Sequence, residues 1–187
     1  MDGAGWDAVI ADGVRTLVDL RNPSEIQDLP LRPRVLTTAT CPIEDEHDAE
    51  FMTAWQGRLG TPDYYPVAVA RWPELIGATF AAIAEAPDGG VIFHCSAGRD
   101  RTGLIAALLL DAADVDREAI LDDYEWSARA TNSQLEQHTV PHESAVDADA
   151  LTARMTRARA SLAAFLVDVD RRPFADQLAA AAARLVS

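Results

Sequence analysis

Between residues 91 and 110 the chain runs from Val91-Ile92-Phe93-His94, through the small and charged stretch Cys95-Ser96-Ala97-Gly98-Arg99-Asp100, into an apolar segment from Leu104 to Leu110. The first run is short and follows Asp88-Gly89-Gly90, which predicts a strand, whereas 101–113 has the length and spacing of a helix. A strand apolar on both faces must be covered on both. Arg15-Thr16-Leu17-Val18-Asp19-Leu20, after the turn at Asp12-Gly13, has the same character, so both read as parallel strands packed under helices. Arg34 to Thr38 is a third short run. Helical spacing covers 48–59, with Phe51, Met52, Trp55 and Leu59 on one side, and 73–86, which starts on Pro73 and turns Leu75, Ile76, Phe80 and Ile83 inward. It continues over 117–126, 150–170 and 174–186, with Pro173 between the last two. Residues 128–149 are polar and weakly patterned, a loop or a cap. The expected architecture is α/β: one domain over 1–187, with a central, mostly parallel sheet flanked by helices and a helical C-terminal part.

Charge narrows the partners. The chain of 187 residues carries a net charge of −14. Residues 1–150 hold 10 arginines against 27 acids, and residues 151–187 hold 6 against 3. An acidic body of this kind disfavours nucleic acid and stable binding to anionic membranes. All 16 basic residues are arginine. No basic segment followed by an apolar run begins the chain, and Leu104 to Leu110 is too short to span a bilayer, so the expectation is a soluble, cytoplasmic protein. Cys41 and Cys95 are too few for a disulfide framework and lack metal-ligand spacing, and no metal or cofactor is expected.

The loop from Cys95 to Gly103 carries the chemistry. Between a strand and a helix, backbone N–H groups turn inward to form an anion nest, and the helix adds its positive end. Ala97 and Gly98 are small enough for an anion to approach the backbone, with Ser96, Arg99, Thr102 and Gly103 completing the cradle. The N–H dipoles, the helix terminus, Arg99 and Arg101 all favour the thiolate of Cys95, the form that attacks phosphorus. Arg101 follows Cys95 by six positions, and its planar fork matches two phosphate oxygens. Thr102 would donate a hydrogen bond to the Cys95 sulfur, and His94 would order the loop through a backbone contact. A cysteine at a strand end is often only a buried apolar residue, but packing alone does not require Arg and Thr six and seven residues later.

The segment His94-Cys95-Ser96-Ala97-Gly98-Arg99-Asp100-Arg101-Thr102-Gly103 resembles the signature loop of protein tyrosine phosphatases, and the Asp before the Arg makes it similar to their atypical bacterial branch. Val18-Asp19-Leu20-Arg21 with Glu25 resembles that branch's upstream element, as do Cys41-Pro42-Ile43-Glu44-Asp45 to Phe51, Gly60 to Tyr65, and Asp123-Tyr124 with Ser127. The resemblance covers residues 6–130 and implies a phosphatase-like α/β fold with Cys95 as nucleophile, Arg101 as phosphate clamp and a catalytic role for Asp100. Arg99 stands where broad-specificity members carry Lys. Members usually carry more chain before the first strand, so one edge of the sheet is expected to be either missing or built differently.

A leaving alkoxide or phenoxide needs a proton. Asp100 is either that acid or a loop brace. Asp19, at the end of the first strand, is either an acid in the crevice or a carboxylate paired with Arg101 or Arg21. Asp63 reads as a turn residue and Asp45 as solvated surface. Trp72-Pro73-Glu74 is set aside as an acid loop, because it lies only 21 residues before Cys95 and reads as a helix start. The expected reaction is hydrolysis of phosphotyrosine, with phosphoserine and phosphothreonine as further substrates, through a cysteinyl phosphate and without metal. The partners expected are a phosphoprotein or a phosphorylated small molecule, with phosphate or vanadate as ligand. Alternatives are a phosphoinositide or small-molecule phosphatase, an inactive phosphate-binding module, and sulfur transfer. The C-terminal pair of helices either packs on the body or forms a lid.

Overall fold

A computed structural model describes residues 3–26, 32–55, 61–137 and 144–186. Leu59 and Gly60 lie outside the described residues. Three parallel strands, β1 (Val14–Asp19), β2 (Thr37–Thr40) and β3 (Gly90–His94), form a sheet in the order β2-β1-β3. Asp19 pairs in register with both Thr40 and His94, so all three strands end at one edge. Around them lie α1 (Gly3–Ala11), the single turn α2 (Pro23–Ile26), α3 (Ala49–Trp55), α4 (Tyr65–Arg71), α5 (Pro73–Ala84), α6 (Asp100–Ala112), α7 (Arg117–Gln137), α8 (Ala148–Asp168) and α9 (Ala175–Ala183).

Side-chain alternation along β1 divides the molecule. Val18 and Leu20 face a core built from Ile76 and Phe80 of α5, Leu104, Ile105 and Leu108 of α6, Leu162, Phe165 and Leu166 of α8, and Leu178 and Ala181 of α9. The apolar stripe predicted over 150–170 is thus part of that core, and α8 and α9 pack on the body. Arg184, at the end of α9, donates to the carbonyls of Ala86, Pro87 and Gly89 at 2.8, 2.6 and 2.9 Å, tying the C-terminal helix to the loop that starts β3.

The opposite face is covered differently from the expectation. Leu17 and Ile92 look toward Trp6 of α1 across an open pocket of about 450 Å³, and the residues of β3 are only partly buried. Among the described residues, the nine-residue α1 is the helix that lines this pocket, against several helices on the other face.

Helix boundaries follow local chemistry. Trp72 N–H closes α4 on Ala68 O at 2.9 Å, and Pro73 opens α5, with Trp72 held extended in φ ahead of the proline. The Trp-Pro-Glu stretch is therefore a helix junction. α6 ends in a Schellman arrangement: Asp114 takes φ +60°, its N–H reaches Asp111 O, and Val115 N–H reaches Leu110 O. Asp147 caps α8 by accepting the Ala150 N–H at 2.8 Å.

Two expectations are corrected. The second strand begins at Thr37, because 34–36 form a turn in which Leu36 N–H bonds Pro33 O. The helix expected over 117–126 runs on to Gln137, so residues 128–137 are neither loop nor cap.

Candidate active site

β3 delivers Cys95 to the edge where all three strands stop, the position at which open α/β sheets bind ligands. Five residues later α6 begins, and between them Gly98 takes φ +69°, a conformation that costs a glycine little and a side chain more. The loop is fastened from several directions. Leu20 N–H donates to His94 O at 2.9 Å, and the Thr131 hydroxyl of α7 shares its proton between Ser127 O at 3.0 Å and Ala97 O at 3.3 Å. Thr102 Oγ1 accepts the Cys95 N–H at 3.0 Å and donates to Cys95 Sγ at 3.2 Å. One hydroxyl thus fixes the backbone at the sulfur and stabilises negative charge on it. Arg32 Nη2 lies 3.1 Å from His94 Nε2, and arginine has no acceptor, so His94 carries its proton on Nδ1, which donates to Cys95 O at 2.9 Å.

Gly103 stands one turn into α6, where a Cβ would meet Tyr65 Oη at 2.9 Å and the Tyr124 ring at 3.0 and 3.1 Å. Its missing side chain lets two buried tyrosines close on the helix. Tyr65 then donates to the Asp100 carbonyl at 2.8 Å and pins the first turn.

Arg101 is held by Glu25 through two hydrogen bonds, Nη1 to Oε2 at 2.5 Å and Nη2 to Oε1 at 2.7 Å. Arg99 does something else. Its guanidinium is buried and grips both oxygens of Asp100, Nε at 3.0 Å and Nη2 at 2.9 Å. Arg99 thereby holds the acid candidate in place.

The other acid candidates separate from one another. Asp19 is 2% exposed and accepts from the backbone N–H, Nε and Nη2 of Arg21 at 3.2, 2.8 and 2.7 Å and from Arg32 Nη2. Burial alone would raise its pKa, but the Arg21 hydrogen bonds and the nearby His94 outweigh burial and bring it to about 2. It braces the strand ends and holds no proton at neutral pH. Asp63 bonds Ser161 in a groove lined by Pro62, Pro66, Phe165 and Pro173, apart from the Cys95 loop. Asp45 is exposed and accepts the His47 N–H at 2.9 Å, a turn contact.

Two carboxylates at the site went unassigned by sequence reasoning, although both fall in stretches that carry the family resemblance. Glu25 is one. Glu44 is buried beside Arg101 and hydrogen-bonded to Tyr64, and burial pushes its carboxyl above the usual range. The signal for Glu44 was a charged residue beside apolar Ile43 just beyond a strand end. Cys41 lies at the exit of β2, and its N–H bonds Asp19 O. With β1 between their strands, Cys41 and Cys95 are about two strand spacings apart, roughly 9–10 Å, beyond the roughly 7 Å reach of a disulfide. Burial, and then the Asp19 carboxylate, push the Cys41 thiol up. Among the described residues no three His, Cys, Asp or Glu side chains gather as a metal site.

The Cys95 thiol thus stands at the C-terminal edge of a parallel sheet, at the start of a long helix whose N-terminal end favours an anion, and within electrostatic reach of Arg101. The chain is 32% identical over 142 residues to a tyrosine-protein phosphatase of Nostoc commune, a match covering 70% of this chain and 46% of that protein. Over 34 residues it is 53% identical to the triple specificity protein phosphatase PtpB of Mycobacterium tuberculosis, covering 18% of this chain and 12% of the relative. The chain thus spans less than half the length of these curated relatives. The model of the tyrosine phosphatase family matches residues 1–174, and the chain belongs to that family.

Proposed function

We propose that the chain hydrolyses phosphotyrosine, with phosphoserine and phosphothreonine as further substrates, through a phosphocysteine at Cys95. The observation that carries this reading is the Thr102 hydroxyl 3.2 Å from Cys95 Sγ at the start of α6, with Arg101, fixed by Glu25, within electrostatic reach of the sulfur. In the first step the Cys95 thiolate attacks phosphorus in line. An S–P bond forms as the P–O bond to the leaving group breaks, and Asp100 gives its proton to the departing oxygen. The loop N–H groups and Arg101 bind the three equatorial oxygens, where charge shifts in the transition state. In the second step water attacks phosphorus, Asp100 takes its proton, and the S–P electron pair returns to sulfur while Thr102 supports the leaving thiolate. Asp100, 19% exposed and held through both oxygens, must release part of its grip on Arg99 to do this.

Membership of the tyrosine phosphatase family supports a phosphorylated substrate. The mycobacterial relative is named a triple specificity protein phosphatase, which supports activity beyond phosphotyrosine here. The test is hydrolysis of p-nitrophenyl phosphate in EDTA. Wild type turns over, Cys95→Ser does not, and Asp100→Asn loses about 10²–10⁴-fold, with the larger loss on poorer leaving groups. Activity surviving in Cys95→Ser refutes the nucleophile, and an Asp100→Asn loss equal for good and poor leaving groups refutes the acid.

A further inference from the structure

We propose that the groove beside α8 docks an extended, basic segment of a protein partner, in which two cationic side chains flank apolar residues. The groove, about 610 Å³, lies between α4 and the second half of α8, apart from the Cys95 loop. Helical spacing builds both walls. On α4, Pro66, Val69 and Ala70 fall on one face; on α8, Ala164, Phe165 and Val169 do the same. Val69 and Phe165, 4% and 2% exposed, form the floor, whereas Pro66, Ala70 and Ala164 are exposed along the rim. The floor is fixed from beneath, because the Phe165 ring packs edge-on against Tyr65 with centroids 5.5 Å apart. An apolar surface is thus held open to solvent without needing a partner to shape it.

Charge selects the occupant. The ionisable side chains along the groove are Asp63, Asp168 and Asp170, and among the described residues no arginine or histidine lines it. Arg172 already engages Asp170, at 2.8 and 2.7 Å. Asp63 accepts the Ser161 hydroxyl, and a carboxylate with one hydrogen bond has room for more. Among the described residues no side chain pairs with Asp168, the last residue of α8. That last turn holds no basic residue, so Asp168 stands at the negative end of the helix, where a cation is favoured and an acid is not. Spacing then sets the register. Through Ser161, Asp63 lies two helical turns from Asp168, roughly 10 Å, with the apolar walls between. A polyproline II chain repeats its facing every three residues, about 9 Å, so arginines at i and i+3 meet both acids. Nucleic acid and an anionic bilayer are repelled by the same carboxylates, and a second copy of the chain, at net charge −14, brings like charge to like.

The test is an NMR titration of the isotope-labelled full chain with the capped hexapeptide Leu-Arg-Pro-Leu-Arg-Leu. Saturable amide shifts are expected over 62–73 and 161–173, and not on the acidic face of α7 at Glu118, Asp122 and Glu125, which Arg159 already occupies. Asp63→Asn and Asp168→Asn should each weaken binding about two- to fivefold, the range of exposed ion pairs. Ala164→Arg, which fills the groove with the peptide's own charge, should weaken it more than about tenfold. All three changes are at exposed positions and leave the fold intact. No saturable shift, equal binding of the counterpart peptide with glutamate for arginine, shifts as large on α7 as in the groove, or wild-type affinity in both Asp variants overturns the proposal. Movement of the groove amides with protein concentration alone also overturns it, since a second copy would then occupy the groove.

Discussion

Replacing Asp19 by Asn separates a structural carboxylate from a catalytic one. Asp19 is buried, grips Arg21 through three hydrogen bonds, and also pairs with Arg32. Its pKa lies at about 2 against an ordinary 3.8. A carboxylate with a depressed folded pKa contributes stability that is complete above the unfolded value and is lost as pH falls through the folded one. A depression of this size corresponds to about 2 kcal/mol at neutral pH. The two arginines left without their counter-ion, at 11% and 19% exposure, raise the cost of Asp19→Asn to about 2–4 kcal/mol. Urea denaturation of both proteins at pH 7 and pH 3 measures the difference. The gap should shrink by roughly 1 kcal/mol at pH 3, since about half of the ionisation contribution is gone by then. A gap independent of pH, or no gap at pH 7, refutes the brace. Because Asp19 holds no proton to give, folded Asp19→Asn should keep the same dependence on leaving group as wild type.

Two further outcomes follow from packing and burial. Gly103→Ala forces Tyr65 or Tyr124 to move, costs about 1–3 kcal/mol, and weakens vanadate binding by shifting the first turn of α6; unchanged melting temperature and affinity would contradict the contact. Burial raises the Glu44 carboxyl above its ordinary 4.5, so its ionisation destabilises the fold as pH rises through the folded value. Glu44→Gln should therefore be more stable than wild type at pH 8, with the difference vanishing below about pH 4.5, as paired urea titrations would show; a difference that grows toward acid pH would contradict it.

What the sequence made legible was local, and what it hid was paired across distance. The strand-loop-helix around Cys95 could be read because an apolar run, a Gly-containing turn and an apolar helix are contiguous. Pro73 marked its own helix start. α4 was missed because Tyr65-Pro66-Val67-Ala68-Val69-Ala70-Arg71 contains a proline, which is tolerated at a helix's first turn but looks like a breaker from the sequence. The end of α7 was misread for a more informative reason. Thr131 and Asn132 are polar and buried because the Thr131 hydroxyl is shared between Ser127 O of its own helix and the Ala97 carbonyl, while Asn132 exchanges two hydrogen bonds with the backbone of Val146. Polarity there means fastening, not exposure. The second strand was placed early because Val35 and Leu36 are apolar, yet Val35 is exposed in the turn before Thr37. Glu25 stayed unassigned because its partner Arg101 lies 76 residues later in the chain, and Glu44 because only burial distinguishes it from the acidic run it begins.

The most direct test of the central claim is a rapid acid quench of wild type turning over p-nitrophenyl phosphate, followed by peptide mass mapping. The account predicts a phosphoryl group on the peptide containing Cys95, bound through sulfur and absent in Cys95→Ser. Steady turnover with the phosphoryl group on another residue, or turnover retained by Cys95→Ser, would contradict it.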